Sequence, residues 1–543
     1  MSIKRLTLPL LFILLIILLL RIPSFFEPYW YGDEGIYLAI GQIMRRGAVL
    51  YRDIWDNKTP LLYAIYALNP TLLWAKISAA ICVLGTVLVT YKLTTLLLHE
   101  KSQKARQMGA LLASFVTGVF LSSPLLEGTI ANAELYFTLP IILTAYLTYK
   151  NVILVSEERT HPESLSGKTL RDPGQARMTM MAAGIGLLMS IAFLLKVPAI
   201  LDFMGLFLAY SLVKLTMKQS NNETIRSYFQ SQLKFYLPIF LTFVSLLTTI
   251  VLYFYFHHAL SDFLTASFSQ NASYVAIDSG PLSKLSNPLF IKALLLIISL
   301  GLVSLLYLRS HFSNFKFQIS NSFLFLSFWF GFSLYGALLS NRPYLHYLLE
   351  IVPPFVLLLV YCFCNARRFW PAFIPIVFIY YQLVQQFQNG FALEPISYYR
   401  NWFDYVSERK TWEDYVNYFD SRTLNSYNIA SYVIRNTNPD APIFVWGDAS
   451  FIYVLSNRPP ATKFIQAHHL TTIDPKNYDL IINRLQKYQP KYILISRPGH
   501  FAFPQLEELV KKNYRKVAIF TDMHVYQNSV PVTPPPWKPQ YIN

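Results

Sequence analysis

From Glu27 to Leu68 the chain reads EPYWYGDEGIYLAIGQIMRRGAVLYRDIWDNKTPLLYAIYAL, so that adjacent carboxylates, Asp33 and Glu34, are followed by Arg52, Asp53, Asp56 and Lys58. These residue types suit transfer of a group from an anionic carrier to a hydroxyl. A carboxylate takes the hydroxyl proton, and cations hold the phosphate as it departs. Asp33 is the candidate base, Glu34 a second catalytic carboxylate, Lys58 the candidate phosphate contact and Arg52 a positioning residue. Structural readings stand beside these. Asp33 suits a helix N-cap and Glu34 the positive end of a helix dipole, Lys58 and Arg52 could snorkel to the headgroup layer, and Tyr29, Trp30 and Tyr31 suit an interfacial aromatic belt.

Further candidates lie at the ends of later apolar runs. Glu134 closes the segment Ala131-Asn-Ala-Glu134, Lys196 opens the link Lys196-Val-Pro198, and Arg342, Tyr344, His346 and Tyr347 crowd the link SNRPYLHYLLE, with Glu350 entering the next run. Lys196 and Arg342 join Lys58 as candidate phosphate cations, whereas Glu134, Tyr344, His346 and Tyr274 are candidates for acceptor binding or positioning. Asn271 and Tyr274 sit in a polar loop, where polarity alone says little. For Lys196 the structural reading is an ion pair with Asp202. Carboxylates do not by themselves separate a proton acceptor from an oxygen-ligand cation site, so a divalent cation is left open and no metal ligands are named. The adjacent pairs His257-His258 and His468-His469 point to different sides of any element, unlike the i, i+4 pair of a zinc protease. Gly184-Ile-Gly186 has Met189 where a dinucleotide loop needs its third glycine and lies in an apolar run, which favours helix packing.

These residues must be held by elements in a membrane. The 543 residues are 54% apolar and 14% charged, with mean hydropathy +0.35, which excludes an ordinary cytosolic enzyme. Apolar runs near the roughly 20 residues that cross a bilayer recur. We place spans at 6–22, 73–98, 109–125, 134–150, 179–195, 198–217, 234–256, 288–308, 321–340, 347–364 and 370–387, about eleven in all. Met1 to Leu20 has the basic start and leucine-rich core of a signal peptide without a small-residue cleavage site, and is read as a retained span. Lysines and arginines gather in alternate connections, so the net charge of +16 is a topology code and implies no nucleic acid partner. That code puts the N-terminus in the cytoplasm and, after an odd number of spans of an inner or plasma membrane, the C-terminus outside. Cys82, Cys362 and Cys364 all fall in apolar runs, so neither disulfides nor Cys-bound zinc are expected.

Two local expectations place the candidates. Ile36, Ile40, Ile43 and Met44 recur at helical spacing and Gly47 stands where a C-cap would, predicting a short amphipathic helix on the membrane face that opens at Asp33-Glu34. From about Asn389 the composition becomes ordinary. Strand-like runs at 443–446, 492–495 and 517–520 alternate with helical patterns at 424–436, 476–488 and 504–513, predicting a small exterior α/β domain with a Pro-rich end. The expected architecture is a multi-span domain over 1–388 followed by a soluble α/β domain over 389–543.

Asp33-Glu34, the Tyr51-Arg-Asp53 turn and Asn57-Lys-Thr-Pro60 resemble the first exterior loop of the protein O-mannosyltransferase and lipid A aminoarabinose transferase superfamily, the GT-C membrane glycosyltransferases. The resemblance covers roughly 6–387 and is most specific in that loop. It implies a GT-C fold, with Asp33 as the base and Lys58 as the lysine that holds a lipid phosphate, although Thr59 intervenes here before Pro60. Glu134 falls on a second acidic position of the family. Lys196 and the link from Arg342 to Tyr347 resemble its other substrate-facing loops, and Val445-Trp-Gly447 with Ile452-Tyr453 resembles the exterior domain of bacterial members. The implied activity is inverting transfer of a sugar from a polyprenyl-phosphate donor in the membrane lipid to a hydroxyl of a cell-envelope glycolipid, polysaccharide or protein. Physical chemistry agrees, because an exterior site has no nucleotide sugars and a lipid phosphate leaves without a strong general acid. The alternative is a transporter or flippase for a lipid-linked or anionic solute, but such sites lie near the midplane between repeated halves, and no repeat is present. A membrane anchor for a glycan-binding domain would need far fewer spans.

Overall fold

The computed structural model describes residues 7–160, 173–220, 224–271, 288–312, 319–339, 344–365, 393–467, 476–497, 501–530 and 537–539. Among them seven helices are long and apolar enough to cross a bilayer. The chain is a polytopic α-helical membrane protein with a small C-terminal sheet. Ten of the eleven expected spans coincide with helices, and 370–387 lies outside the described residues. The span expected at 347–364 is shorter than predicted. A 3-10 turn, Leu345–Leu349, precedes a helix that starts only at Val352, because Pro353-Pro354 can open a helix but cannot extend one from upstream.

The chain divides into two compact units, the first formed by Met1–Ile22, Ala79–Ile250 and Ile277–Ala392. Its helices are apolar on nearly all sides, as lipid requires. The spans Ile225–Phe256 and Phe290–His311 bury only 11% of their apolar windows, leaving Phe240, Leu241, Ile297 and Leu305 for acyl chains. Small residues let other helices close on one another. A Cβ on Gly205 would stand 2.8 Å from the Phe328 carbonyl oxygen, where Ile200–Ser220 packs on Asn321–Ala337. A Cβ on Gly118 would strike Ile17.

The second unit comprises Pro23–Ser78, Val251–Ala276 and Leu393–Asn543. The sequence draws one boundary at 388/389 from composition, whereas the contacts gather the first loop with the C-terminal region. The loop supplies the predicted helix, Gly32–Arg45, and a second one, Pro60–Leu68; Gly41 admits the Tyr66 backbone between them. Gly35 lies against Phe451, and the Trp55 amide donates to the Lys463 carbonyl at 2.8 Å. Trp30 and Tyr31 are buried, and Trp30 packs on Phe419, so these aromatics serve the unit's core and not a belt at the lipid surface.

The sheet is mixed, ordered β1-β2-β4-β3, with β1 (Phe444–Trp446) parallel to β2 (Tyr492–Ser496), and with β3 (Tyr514–Phe520) and β4 (Met523–Asn528) antiparallel. Helices Thr423–Asn436, Lys476–Tyr488 and Pro504–Asn513 lie where the periodicity predicts them. The strand β4 and the start of β3 went unpredicted. Arg515 and Lys516 break the apolar pattern because β3 is an edge strand, where exposed cations guard against pairing with other chains.

Gly184 and Gly186 provide a controlled test of packing. A Cβ on Gly186 would collide with the Ile239 carbonyl, while one on Gly184 would meet nothing within 4 Å. Gly186→Ala should destabilise the detergent-purified protein by about 1–3 kcal/mol through overpacking. Gly184→Ala should leave its unfolding midpoint unchanged, and equal midpoints for the two variants would contradict this helix contact.

Candidate active site

Asp33 and Glu34 stand in the first turn of helix Gly32–Arg45, whose Ile36, Ile40 and Ile43 are buried and whose end is set by Gly47 at φ +92°. Tyr31 occupies the N-cap position and no side chain caps the helix, so Asp33 does not perform the structural role read for it. Adjacent helical positions are rotated by about 100°. Glu34 accordingly turns inward while Asp33 stays half-buried. The Tyr37 hydroxyl donates to the Asp33 carboxylate at 3.4 Å, and Asp33 forms no ion pair among the described residues.

Glu34 has a different fate. Lys76, fully buried, sits 2.8 Å from both Glu34 and Glu27. Trp30 Nε1 donates to Glu27 at 3.1 Å, and the Tyr398 hydroxyl donates to its other oxygen at 2.6 Å. Burial, with the Glu27 charge beside it, pushes the Tyr398 hydroxyl well above its ordinary pKa, so it keeps the proton it donates. Glu34 is therefore part of a buried ion cluster with Lys76 and Glu27. Glu27, Lys76 and Tyr398 were not among the sequence candidates; a lysine in the first turns of an apolar run was the available signal.

The segment from Val49 to Thr59 is held from several sides. Arg52 binds Asp53 through two bonds, 3.0 and 2.8 Å, and donates to the His257 carbonyl at 2.7 Å, while Asp53 also accepts from the Val49 amide at 2.8 Å. Asp56, buried, accepts from the Tyr63 hydroxyl at 2.5 Å. Burial and the neighbouring Asp56 charge raise the Tyr63 hydroxyl well above its ordinary value, which keeps it a donor. That hydroxyl also accepts from the Lys58 amide at 3.1 Å, and the Tyr51 hydroxyl donates to the Lys58 carbonyl at 2.7 Å. Asn271 donates to the Asn57 carbonyl at 2.8 Å, a backbone brace. Tyr51 has φ +69°, a left-handed conformation that costs a bulky residue about 1–2 kcal/mol. Its ring, packed on Phe254 and Phe263, and its two hydroxyl contacts offset that strain. Lys58 thus has a fixed backbone and a half-buried side chain. Tyr37 lies edge-on to Tyr63, so Asp33 is linked through these two rings to the main chain of Lys58.

The first unit brings together another set of candidates. Lys196 pairs with Glu134 and lies 4.1 Å over the Tyr347 ring. This corrects the expected Lys196–Asp202 pair: Asp202 instead accepts from Trp329 Nε1 at 2.8 Å and neighbours Glu350. His346 Nδ1 lies 2.7 Å from Glu127, a partner not foreseen, and Tyr344 stacks on the imidazole at 5.6 Å. Asn132 is 1% exposed, and neither its amide oxygen nor its nitrogen has a hydrogen-bond partner among the described residues. Arg342 and Tyr274 lie outside the described residues. Among those described, no three His, Cys, Asp or Glu side chains gather as metal ligands.

Residues 425–529 match the family described as the Ccs4 C-terminal domain of a competence-induced protein. No curated protein matches the sequence. Among solved structures, the chain is similar to ArnT from Cupriavidus metallidurans bound to undecaprenyl phosphate, at 14% identity over 97% of this chain and 99% of that one, TM-score 0.49. It is also similar to the oligosaccharyltransferase AglB from Archaeoglobus fulgidus in complex with an inhibitory peptide and a dolichol-phosphate, at 12% identity over 96% and 74%, TM-score 0.42. The Archaeoglobus fulgidus oligosaccharyltransferase with Zn and sulfate aligns at 12% identity over 96% and 73%, TM-score 0.42. Likenesses this distant assign no substrate and no residue role.

The buried cluster generates a stability prediction. Lys76→Met leaves two carboxylates buried without their cation and should lower stability by about 3–5 kcal/mol. The triple replacement Glu27→Gln, Lys76→Met, Glu34→Gln removes all three charges and should recover most of the loss. Unfolding midpoints in one detergent check this, and a single variant as stable as the parent would show that the cluster does not organise the loop.

Proposed function

We propose that the protein is a membrane glycosyltransferase that moves a sugar from a polyprenyl-phosphate donor to a hydroxyl of a cell-envelope acceptor. The observation that carries the reading is the division of labour among the five carboxylates of 23–78. Glu27 and Glu34 pair with Lys76, Asp53 pairs with Arg52, and Asp56 accepts from Tyr63. Asp33 remains half-buried and forms no ion pair among the described residues, which would leave its carboxylate able to take a proton.

In the proposed step the acceptor oxygen attacks the anomeric carbon as its proton passes to Asp33. The bond from that carbon to the phosphate oxygen breaks with its electron pair, and the charge gained by the phosphate is met by Lys58. Attack opposite the leaving group inverts the anomeric centre. A phosphate is stable as an anion, so no strong acid is needed on that side, in contrast to the two-carboxylate chemistry of glycosidases. The region 393–530, gathered with the loop in one unit, is proposed to place the acceptor. The charge code supports a cytoplasmic N-terminus and an exterior C-terminal region.

Asp33→Asn removes the basic oxygen while keeping shape. It should unfold with the parent yet transfer sugar roughly a hundredfold or more slowly. Lys58→Ala should lose roughly ten- to a hundredfold in donor affinity or rate, as expected for a charge-assisted contact of about 1.5–3 kcal/mol. Turnover from polyprenyl-phosphate sugars beside melting temperature checks both, and normal turnover by a folded Asp33→Asn enzyme removes Asp33 from the mechanism. Orientation has its own test. Lys487 is exposed, so Lys487→Cys should react with an impermeant maleimide on intact cells, and reaction only after permeabilisation would invert the topology.

A further inference from the structure

We propose that a groove between three spans of the first unit seats one acyl chain of a glycerophospholipid, with the phosphate of that lipid on Lys292. This goes beyond the glycosyl-transfer reading and does not depend on it.

The groove lies among the helices Ile200–Ser220, Pro288–Phe312 and Asn321–Ala337 and has a volume of about 530 Å³. Leu201, Ala293 and Tyr335 mark one end, and Leu212, Ser304 and Phe328 the other. Leu201 and Ala293 stand near the starts of their helices and Tyr335 near the end of its own, so the first end lies towards one face of the membrane. From Leu201 to Leu212, and again from Ala293 to Ser304, the rise of about 1.5 Å per residue gives a length of about 16 Å. The hydrocarbon core is about 30 Å thick, so the groove has the depth of one leaflet. That suits an acyl chain, whereas a polyprenyl chain is far longer.

The lining is apolar apart from two hydroxyls. Ser304 donates to the Leu300 carbonyl at 2.7 Å, and Tyr335 stands at the membrane-face end. A groove of this kind in hydrocarbon is occupied by the lipid chains around it. A chain seated there meets protein on three sides and gains dispersion contacts that a convex helix surface does not offer. Gly301 leaves it room, since a Cβ at that position would meet nothing within 4 Å.

The membrane-face end carries a charge. Lys292, half-buried, precedes Ala293, and its ammonium donates to the Leu338 carbonyl at 2.9 Å, three residues beyond Tyr335. A lipid phosphate at this level meets that charge with its oxygens. The nearby acids do not line the groove. Asp202 is buried and accepts from Trp329 Nε1 at 2.8 Å, and Glu350, also buried, lies against Gly336.

The test uses full-length protein purified in detergent. Native mass spectrometry identifies the lipid it retains, and melting temperature is followed during titration with phosphatidylglycerol or with diacylglycerol, which lacks the phosphate. The parent should retain a glycerophospholipid, and its melting temperature should rise with added phosphatidylglycerol, as binding to the folded state requires. Gly301→Phe and the smaller Gly301→Leu occupy the groove and should bind phosphatidylglycerol roughly tenfold or more weakly, with little rise. Gly184→Phe, in another span where a Cβ also meets nothing, should behave as the parent. Lys292→Gln should respond to phosphatidylglycerol no more than to diacylglycerol. Equal retention by the parent and both Gly301 variants would overturn the inference. So would a parent that retains no lipid, as when another part of the chain covers the groove, or one that retains a polyprenyl phosphate in place of a phospholipid. Sugar transfer is assayed separately, and its absence from the parent would leave this inference standing.

Discussion

Lys76 between Glu27 and Glu34 is the interaction on which the candidate site depends. Three charges out of water are tolerated only when each is met at close range, so their geometry has little freedom. The ammonium is 2.8 Å from both carboxylates, and Tyr398 and Trp30 complete the Glu27 side. Lys76 lies in the opening turns of the helix Leu72–Leu97, Glu34 in Gly32–Arg45 and Tyr398 in Pro395–Val406, so one cluster ties together three helical segments of the second unit. It also fixes the rotation of Gly32–Arg45 about its axis. With Glu34 anchored inward, its neighbour Asp33 has to emerge on another face. A buried pair of modest net stabilising value can therefore be retained for orientation, and that is the role the geometry supports here.

The same logic runs through the Lys58 segment. A cation that meets a departing phosphate contributes most when it does not have to reorganise. Tyr51, Tyr63 and Asn271 bind the backbone on both sides of Lys58, and Tyr51 accepts a strained φ to do so. Arg52 and Asp53 neutralise one another in the adjoining turn. Between Val49 and Thr59 the positive charge is thus divided between an arginine paired with Asp53 and a lysine whose main chain is immobilised.

Local pattern carried far in this sequence. The isoleucine spacing and Gly47 locate Gly32–Arg45, and three C-terminal helices fall where their periodicity puts them, because each signal is contained within the element itself. Partnerships across the chain were not legible. Glu27 and Tyr398 are 371 positions apart, and Glu127 and His346 are 219 apart. Lys196 shows why proximity in sequence misleads. Asp202 is near in the chain, yet it lies in a helix that turns it to Trp329, while the extended backbone at Lys196 leaves its side chain to Glu134. Glu34 was indistinguishable from Asp33 by type, and only burial separates them.

Burial also changes what a charge can do. In a low-dielectric site an ammonium already neutralised by a carboxylate has little attraction left for a phosphate, whereas the hydrogen-bonding capacity of both groups persists. Lys196, paired with Glu134, is such an ammonium. Counting cations ranks Lys196 with Lys58, and what the count misses is that the Lys196 ammonium already meets the Glu134 carboxylate.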